Sequence, residues 1–377
     1  MWRLFVQKQT EAGEPVVKEK YYRDVFCTEF NLGFGNPRSD TCSVCDAMEE
    51  GYEARQDAAR VAFETMKEDR NKAATVAGIL YITFDLEKTL PLPKLTVSQA
   101  FYLRQLWFYN FGIHAVEKST VNGKGIMFTW TENQHGRGSS EVASSILAFS
   151  EMPEYQHCRS LIAWSDSCGG QNKNFTIVGL WQYLIKTSRF NEIQHKFPEV
   201  GHSRLDSDRD FGHVEQVVRK TETVYLSDEY RTIIRNAQNK PAFQVTDLAN
   251  GMVDFAQVVK RLDITKREKN TEGEKIQFRN ITWLKVDKFG FYSYKYYFDE
   301  AAPWKEVDIL EKRTTARDVH LSELAVAPKR PIGENGKTCK ISFVMCQDTR
   351  SVSIRISKKR TMQMLSNKNK VYFYPEH

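Results

Sequence analysis

Between residues 78 and 220, strand-length apolar runs alternate with turn residues and with segments of helical period, and this order constrains the fold more than any other feature of the chain. A buried-type strand, Ile79 to Phe84, runs into Asp85 and is followed by a loop carrying Pro91 and Pro93 and by a helical patch near Ser98 to Leu106. Further strands are expected at Trp107 to Val116 and Gly125 to Trp130. Gly136-Arg137-Gly138-Ser139-Ser140 then punctuates the chain, and Glu141 to Phe149 has helical spacing with Ser139 or Ser140 as its N-cap. The strand Arg159 to Trp164 leads to Asp166, a Gly-Gly turn and a helix from about Asn174 to Lys186. Ile193 to Val200 forms the last strand, before an Asp-rich loop and a helix starting near Asp208. The order β-β-β-α-β-α-β-α predicts an α/β core in which three meandering strands precede parallel strands joined by crossover helices.

The remainder divides around this core. Residues 1–76 form a lead-in ending in a C-x₂-C pair and one long helix (46–76), whose apolar residues Met48, Tyr52, Ala59, Ala62, Phe63 and Met66 recur among charges. The core spans 77–222, and 223–310 holds a polar helical segment followed by a small β-rich module dense in aromatics (Trp283, Phe289, Phe291, Tyr292, Tyr294, Tyr296, Tyr297, Phe298). Residues 311–377 form a basic tail region with one short strand, Val352 to Ile356. Of the 377 residues, 41% are hydrophobic and 12% aromatic, which excludes disordered and low-complexity classes and suffices for two or three packed domains. The net charge of +6 is unevenly placed: 311–377 carry +8, leaving −2 for the first 310 residues.

The apolar start, Met1 to Val6, is short, and no later run approaches the roughly 20 apolar residues of a membrane helix, so no membrane association is expected. Seven cysteines with one close pair suit a reducing, intracellular compartment better than a disulfide framework.

Four acids stand at informative places: Asp85 after the first strand, Glu141 opening the first core helix, Asp166 after the fourth strand and Asp208 at the start of the last helix. Strand ends of an open α/β sheet are where sites form. Carboxylates gathered in a partly desolvated cleft need divalent cations, and an all-oxygen donor set suits Mg²⁺ or Mn²⁺. Two such ions serve phosphodiester chemistry, one activating water or a 3′-hydroxyl and the other stabilising the leaving oxygen. The competing reading is that these residues are turn formers and helix caps, where Asp is common. Asp206 and Asp210 flank Asp208, so the choice among the three stays open at this point.

The order of elements and acids resembles the ribonuclease H-like fold of ribonuclease H, retroviral integrases and DDE/D transposases. More narrowly, residues from about 22 to 375 resemble a family of transposon-derived animal proteins with an RNase H-like domain. The likeness is carried by Asp-Thr-Cys-Ser-Val-Cys-Asp (40 to 46), Phe84-Asp85 with Leu90-Pro91, Trp130-Thr131-Glu132 and Arg137 to Glu141. It continues in Asp166-Ser167-Cys168-Gly169-Gly170-Gln171-Asn172-Lys173-Asn174, Gly201-His202-Ser203 and Asp208-Arg209-Asp210-Phe211-Gly212. The resemblance implies a mixed five-stranded RNase H-like sheet, with Asp85, Asp166 and Asp208 as a metal-binding triad and Glu141 as a fourth acid. The sequence departs from the family at Ser203-Arg204, usually Thr-His, and at Ser167, usually Asn. Arg204 thereby adds a cation that could compete with metal or alter the substrate path.

Around the acids, Gln171, Asn172, Lys173 and Asn174 enter a helix whose N-terminus favours phosphate, with Lys173 as a point charge; a capped helix start with a solvated lysine is the alternative. His202 and His213 could assist proton transfer, although isolated histidines more often serve packing. Cys168 lacks a positioned His partner and is not read as a nucleophile. Cys42 and Cys45 have the spacing to share a structural Zn²⁺, with Cys27 as a third ligand and His157 and Cys158 as distant candidates; two buried thiols packing the long helix is the other reading. The aromatics from 289 to 298 could stack bases or form one face of a small sheet, and Lys358-Lys359-Arg360 could contact DNA or serve nuclear import.

The sequence therefore leads to a transposase-like or transposase-derived protein doing two-metal hydrolysis or strand transfer on DNA, in the nucleus, as a candidate homo-oligomer without a small-molecule cofactor. A domesticated, inactive DNA- or protein-binding module and an RNase H- or exonuclease-like nuclease are the alternatives.

Overall fold

A computed structural model describes residues 2–29, 52–96, 105–202, 204–238, 241–287, 291–310 and 326, with the backbone of strands at 341–345, 351–356, 360–367 and 370–375. Two N-terminal helices, α1 (Trp2–Ala12) and α2 (Glu19–Glu29), pack through Trp2, Phe5 and Tyr22, and α3 (Tyr52–Thr75) follows. The core strands are β1 (Ile79–Leu86), the short β2 (Leu90–Leu92), β3 (Leu106–Val116), β4 (Lys124–Thr131), β5 (Ser160–Ser165) and β6 (Glu192–Lys196). Helices α4 (Ser139–Ser150), α5 (Phe175–Lys186) and α6 (Asp206–Lys220) connect or follow them, and α7 (Ser227–Asn236), β7 (Gln244–Asp247), α8 (Phe255–Arg261), β8 (Trp283–Asp287), β9 (Phe291–Lys295) and β10 (Lys305–Asp308) complete the unit. Strand β6 stops before Pro198, which has no N–H to give a ladder, so it is shorter than the expected run to Val200.

All ten strands form one mixed sheet in the order β10-β9-β8-β6-β5-β1-β3-β4-β7, with β2 beside β3. Strands β1, β3 and β4 pair antiparallel, whereas β5 joins β1 and β6 joins β5 in parallel. The expected separate aromatic module is not separate: β8 pairs antiparallel with β6, so β8, β9 and β10 extend the main sheet. Tyr292 and Tyr294 are buried there, which removes them as base-stacking platforms. The C-terminal region contains more strand than expected. Strands β11 (Ile341–Met345), β12 (Ser351–Ile356), β13 (Arg360–Asn367) and β14 (Lys370–Pro375) form a second, antiparallel sheet. Residues 358 and 359 of the basic run, and most of the expected helical patch at 98–106, lie outside the described residues.

Period-two burial sorts the strands onto two faces. Leu80, Ile82 and Phe84 of β1 and Leu161 and Ala163 of β5 face a core with α4, α5 and α8. Helix α5 is apolar on nearly all sides because it is covered on nearly all sides, and its Gly179 lets α8 approach so closely that a Cβ would lie 2.3 Å from Val259. Tyr81, Ile162 and Trp164 face the other way, against Ala62, Met66 and Ala73 of α3. Helix α6 lies on this second face through Ser207, Asp210, Phe211, Val214 and Val218, a single stripe at helical spacing. Gly112 of β3 allows that approach, since a Cβ there would come within 2.6 Å of the Phe211 ring.

Helix α3 is held by a buried charge. Asp69 accepts from Lys196 Nζ (3.0 and 2.8 Å) and from Trp164 Nε1 (2.9 Å), while Lys196 sits over the Trp283 ring with Nζ 4.1 Å from its centroid. Lys196 is 2% exposed, so its charge depends on this partner. Asp69→Ala is therefore expected to destabilise the fold by about 3–5 kcal/mol, because the lysine is left buried and unpaired. The paired change Asp69→Leu with Lys196→Met removes both charges and should lose less than half as much; equal losses in denaturant unfolding would show that Lys196 is not the reason.

Candidate functional site

The parallel register of β1 and β5 pairs Phe84 with Ser165, so the next residues, Asp85 and Asp166, leave the ends of adjacent strands side by side. By the same alternation both belong to the face covered by α3 and α6. At Asp85, Oδ1 accepts from the Leu86 N–H (2.8 Å). At Asp166, Oδ1 accepts from the Cys168 N–H (3.0 Å), an Asx turn, and the Cys168 carbonyl takes the N–H groups of Gln171, Asn172 and Lys173. The Gly-Gly loop is thus wound tightly behind the acid before α5 begins.

Asn172 links the two carboxylates. Its Nδ2 donates to Asp166 Oδ1 (2.5 Å) and reaches Asp85 Oδ1 (3.4 Å). The side chain is fully buried, and its own Oδ1 has no partner. Burial and then the charge of Asp166 push the Asp85 carboxyl up to about 7; the Leu86 hydrogen bond opposes them, and the charge of Asp208 (upward) and the Asn172 hydrogen bond (downward) are weaker still. Asp208 is hence the third acid near this pair. It lies in the first turn of α6, where Oδ2 accepts from the Leu205 N–H (2.8 Å).

The two neighbours of Asp208 are committed elsewhere. Asp206 takes the Tyr81 hydroxyl (3.4 Å), Arg70 (3.4 Å) and Arg209 (3.2 Å), and the buried Asp210 pairs with His114 Nδ1 at 2.7 Å. Glu141, expected as a fourth acid, is used by its own loop: Oε1 accepts from Gly136 N–H and Oε2 from Gly138 N–H, both at 2.9 Å. It opens α4 as a cap.

The polar run has mostly structural work. Asn174 is the N-cap of α5, accepting from the Ile177 N–H (3.2 Å) and donating to the carbonyls of Gly169 and Gln171. Gln171 Nε2 reaches the Arg137 carbonyl (3.4 Å), which joins this loop to the one held by Glu141. Lys173, expected to meet phosphate, donates instead to the Arg279 carbonyl (2.6 Å) and lies over Phe197, and burial pushes it down to about 8. His202 sits half-buried beside a cleft lined by Asp166, Ser167, Cys168, Pro198, Glu199, Val200 and Gly201. The far wall of that cleft is fixed by Arg55 of α3, which pairs with Glu199 (2.9 Å) and donates to the Val200 carbonyl (3.2 Å). Arg204 is exposed and has positive φ (39°). Cys42 and Cys45 lie outside the described residues.

Ser165 and His195, 2.9 Å apart, look like a nucleophile and base but cannot act as one. Trp181 Nε1–H donates to His195 Nδ1 (3.2 Å), so the ring proton resides on Nε2 and is given to Ser165. Burial also pushes His195 down to about 3.

A family described as "Domain of unknown function (DUF7869)" matches residues 114–283. No match was found among curated proteins. Among solved structures, the chain is similar to one titled "Crystal structure of NurA with manganese", at 10% identity and a TM-score of 0.15, covering 54% of this chain. The match spans 44% of that protein's length.

A further buried acid lies close in sequence to Asp85. Glu87, two residues beyond Asp85, is 4% exposed; its Oε2 accepts from Asn110 Nδ2 (2.8 Å), while Glu87 Oε1 and Asn110 Oδ1 both lack partners. Burial pushes this carboxyl up to about 8 from 4.5, and a proton on it supplies the donor that the pair lacks. An acid whose folded pKa is raised favours the fold below its unfolded pKa and loses that stability as pH rises through the folded value, here from about 4.5 to about 8. Glu87→Gln, which brings its own donor, should raise stability at pH 9 by a few kcal/mol, given about 1.4 kcal/mol per pK unit, and leave it nearly unchanged at pH 4. Parallel unfolding curves for the two proteins across that range would show that Glu87 stays ionised.

Proposed function

We propose that this chain is an RNase H-like, transposase-like or transposase-derived protein that carries out metal-dependent phosphodiester chemistry on DNA at Asp85, Asp166 and Asp208. The observation that carries the reading is the pair Asp85 and Asp166 at the ends of adjacent parallel strands, joined by Asn172, with Asp208 close enough for its charge to be felt. The strand order β4-β3-β1-β5-β6, with antiparallel pairs first and parallel pairs after, supports the same reading. DNA as substrate implies residence in the nucleus.

The donor set fits a hard divalent cation. It is all oxygen, Asp85 holds its proton to about pH 7 because burial and the charge of Asp166 outweigh the hydrogen bonds it accepts, and the buried Asn172 Oδ1 has no partner. Mg²⁺ or Mn²⁺ held there would polarise a phosphodiester and lower the pKa of an attacking water. The protein's own contribution is placement. The bonds made to Asp85 and Asp166 by Leu86, Cys168 and Asn172 all fall on the Oδ1 atoms, which leaves each carboxylate its second oxygen. Asn172 fixes the separation of the two groups, the Asx turn fixes the direction of Asp166, and the first turn of α6 fixes Asp208. Glu141 acts at one remove, by holding the Gly136–Gly138 loop against which Gln171 rests.

The full-length chain with Mg²⁺ or Mn²⁺ is expected to nick duplex DNA, and Asp166→Asn to abolish the nicking. Asn172→Ala should weaken activation by Mn²⁺ about 10–100-fold, the usual effect of losing a group that orients metal ligands. Supercoiled plasmid, single-stranded DNA and an RNA–DNA hybrid serve as substrates. Cleavage of the hybrid alone would move the reading to a ribonuclease, and salt-sensitive DNA binding without cleavage, unchanged in Asp166→Asn, would make the chain a binding module.

A further inference from the structure

At the opposite end of the core strands lies a second, chemically different donor cluster. Glu117 follows the last residue of β3, and His157 and Cys158 stand just before β5. Since Val116 pairs with Tyr81, the cluster is level with the start of β1, roughly 17 Å from Asp85 at about 3.3 Å per residue. His157 Nε2 is 3.3 Å from Glu117 Oε2 and 3.5 Å from Cys158 Sγ, and the three donor atoms all lie within 4.8 Å of one another.

Hydrogen bonding accounts poorly for this arrangement. One imidazole nitrogen faces both a carboxylate and a sulfur, and 3.3 Å is long for a charge-assisted pair, which settles at about 2.7–2.9 Å. A tetrahedral Zn²⁺ with ordinary bond lengths instead separates its N and O ligands by about 3.4 Å and its N and S ligands by about 3.5 Å. The observed spacings are those of ligands around an ion.

The surroundings point the same way. Glu117 is 3% exposed, and the hydroxyls of Ser119 and Thr120 both donate to Oε1, which orients the group and leaves Oε2 toward His157. The hydroxyl of Tyr155, two residues before His157, has no partner although the residue is 1% exposed. Arg189 donates to the carbonyls of Ser150, Tyr155 and Cys158 and fixes the segment bearing two of the donors.

We propose that Glu117, His157 and Cys158 bind one Zn²⁺, and that the ion fastens the end of β3 to the turn that enters β5. Thiolate, imidazole and carboxylate together select a borderline-soft ion over Mg²⁺. On binding, Cys158 Sγ gives its proton to solvent and forms the Zn–S bond. This site uses none of the groups assigned to phosphodiester chemistry, and each proposal can fail alone.

Co²⁺ is the probe, because its thiolate complexes absorb by charge transfer. In the full chain, and in a Cys42→Ser/Cys45→Ser background that removes the other thiol pair, one equivalent of Co²⁺ should give that band and Zn²⁺ should displace it. The band should vanish in Cys158→Ser, survive Asp85→Asn, and require at least tenfold more Co²⁺ in His157→Ala. His157 is exposed, so its removal spares the core. Absence of the band in the Cys42→Ser/Cys45→Ser chain, or an unchanged Co²⁺ titration in His157→Ala, would overturn the proposal and leave a His–Glu pair beside a buried thiol.

Discussion

Two carboxylates leaving the ends of neighbouring parallel strands repel each other, and in a half-buried cleft water does little to screen them. The parallel pairing of β1 with β5 makes the meeting of Asp85 and Asp166 unavoidable, since their strands end in register. The local structure answers that repulsion. Asn172 donates toward both groups, the Leu86 and Cys168 N–H groups each donate to one, and Asp85 keeps a proton that a solvated aspartate would lose. The tight turn at Cys168 and the capped start of α5 exist to bring Asn172 there. A stability-driven sequence would have no reason to retain this constellation, so the cost itself argues for a ligand.

The same face shows how one acidic segment is divided by tertiary contacts. Three aspartates alternate through residues 206–210, and the helix turns them in different directions. Asp206 faces Arg70 and Tyr81 and ties α6 to α3 and β1, while Asp210 is buried against His114 of β3. Asp208, left at the exposed end of the helix, is the one whose charge reaches Asp85. Docking of α6 therefore decides which aspartate joins the cleft, and docking of α3 through Asp69 and Lys196 closes the flank from which Arg55 holds the loop at 199–200.

The strand and helix order between 78 and 220 was legible because each element carries its own period and its own punctuation: the apolar run before Asp85, the Gly-rich turn before Glu141, and Asn174 before an apolar helix. The N-cap of α4, however, is Gly138 and not Ser139 or Ser140, which both lie inside the helix. What was not legible depended on partners distant in sequence. Glu141 sits at a helix N-terminus in either role, and only the N–H groups of Gly136 and Gly138 show that its oxygens are taken. Lys173 lies next to the acids in sequence, but its ammonium turns to Arg279, more than a hundred residues away. The aromatics near 292 alternate as a strand in either an isolated module or an extended sheet; pairing of β8 with β6 decides between these, and composition cannot. Glu87 and Glu117 are buried by partners distant in sequence, and nothing local marks them.

The two ends of the core sheet also differ in kind. At one, carboxylates meet across a single amide N–H group with excess negative charge; at the other, sulfur, nitrogen and oxygen donor atoms lie within 4.8 Å of one another. Hard ions prefer the first set and borderline ions the second, so a chain offering both in one sheet can discriminate between them without any difference in shape. The strands that separate the sets are buried over most of their length, with β3 burying nine consecutive residues before Glu117. A rigid spacer of that sort keeps the donor sets from sharing a ligand and lets the far end be fastened while the acid cleft stays open to solvent.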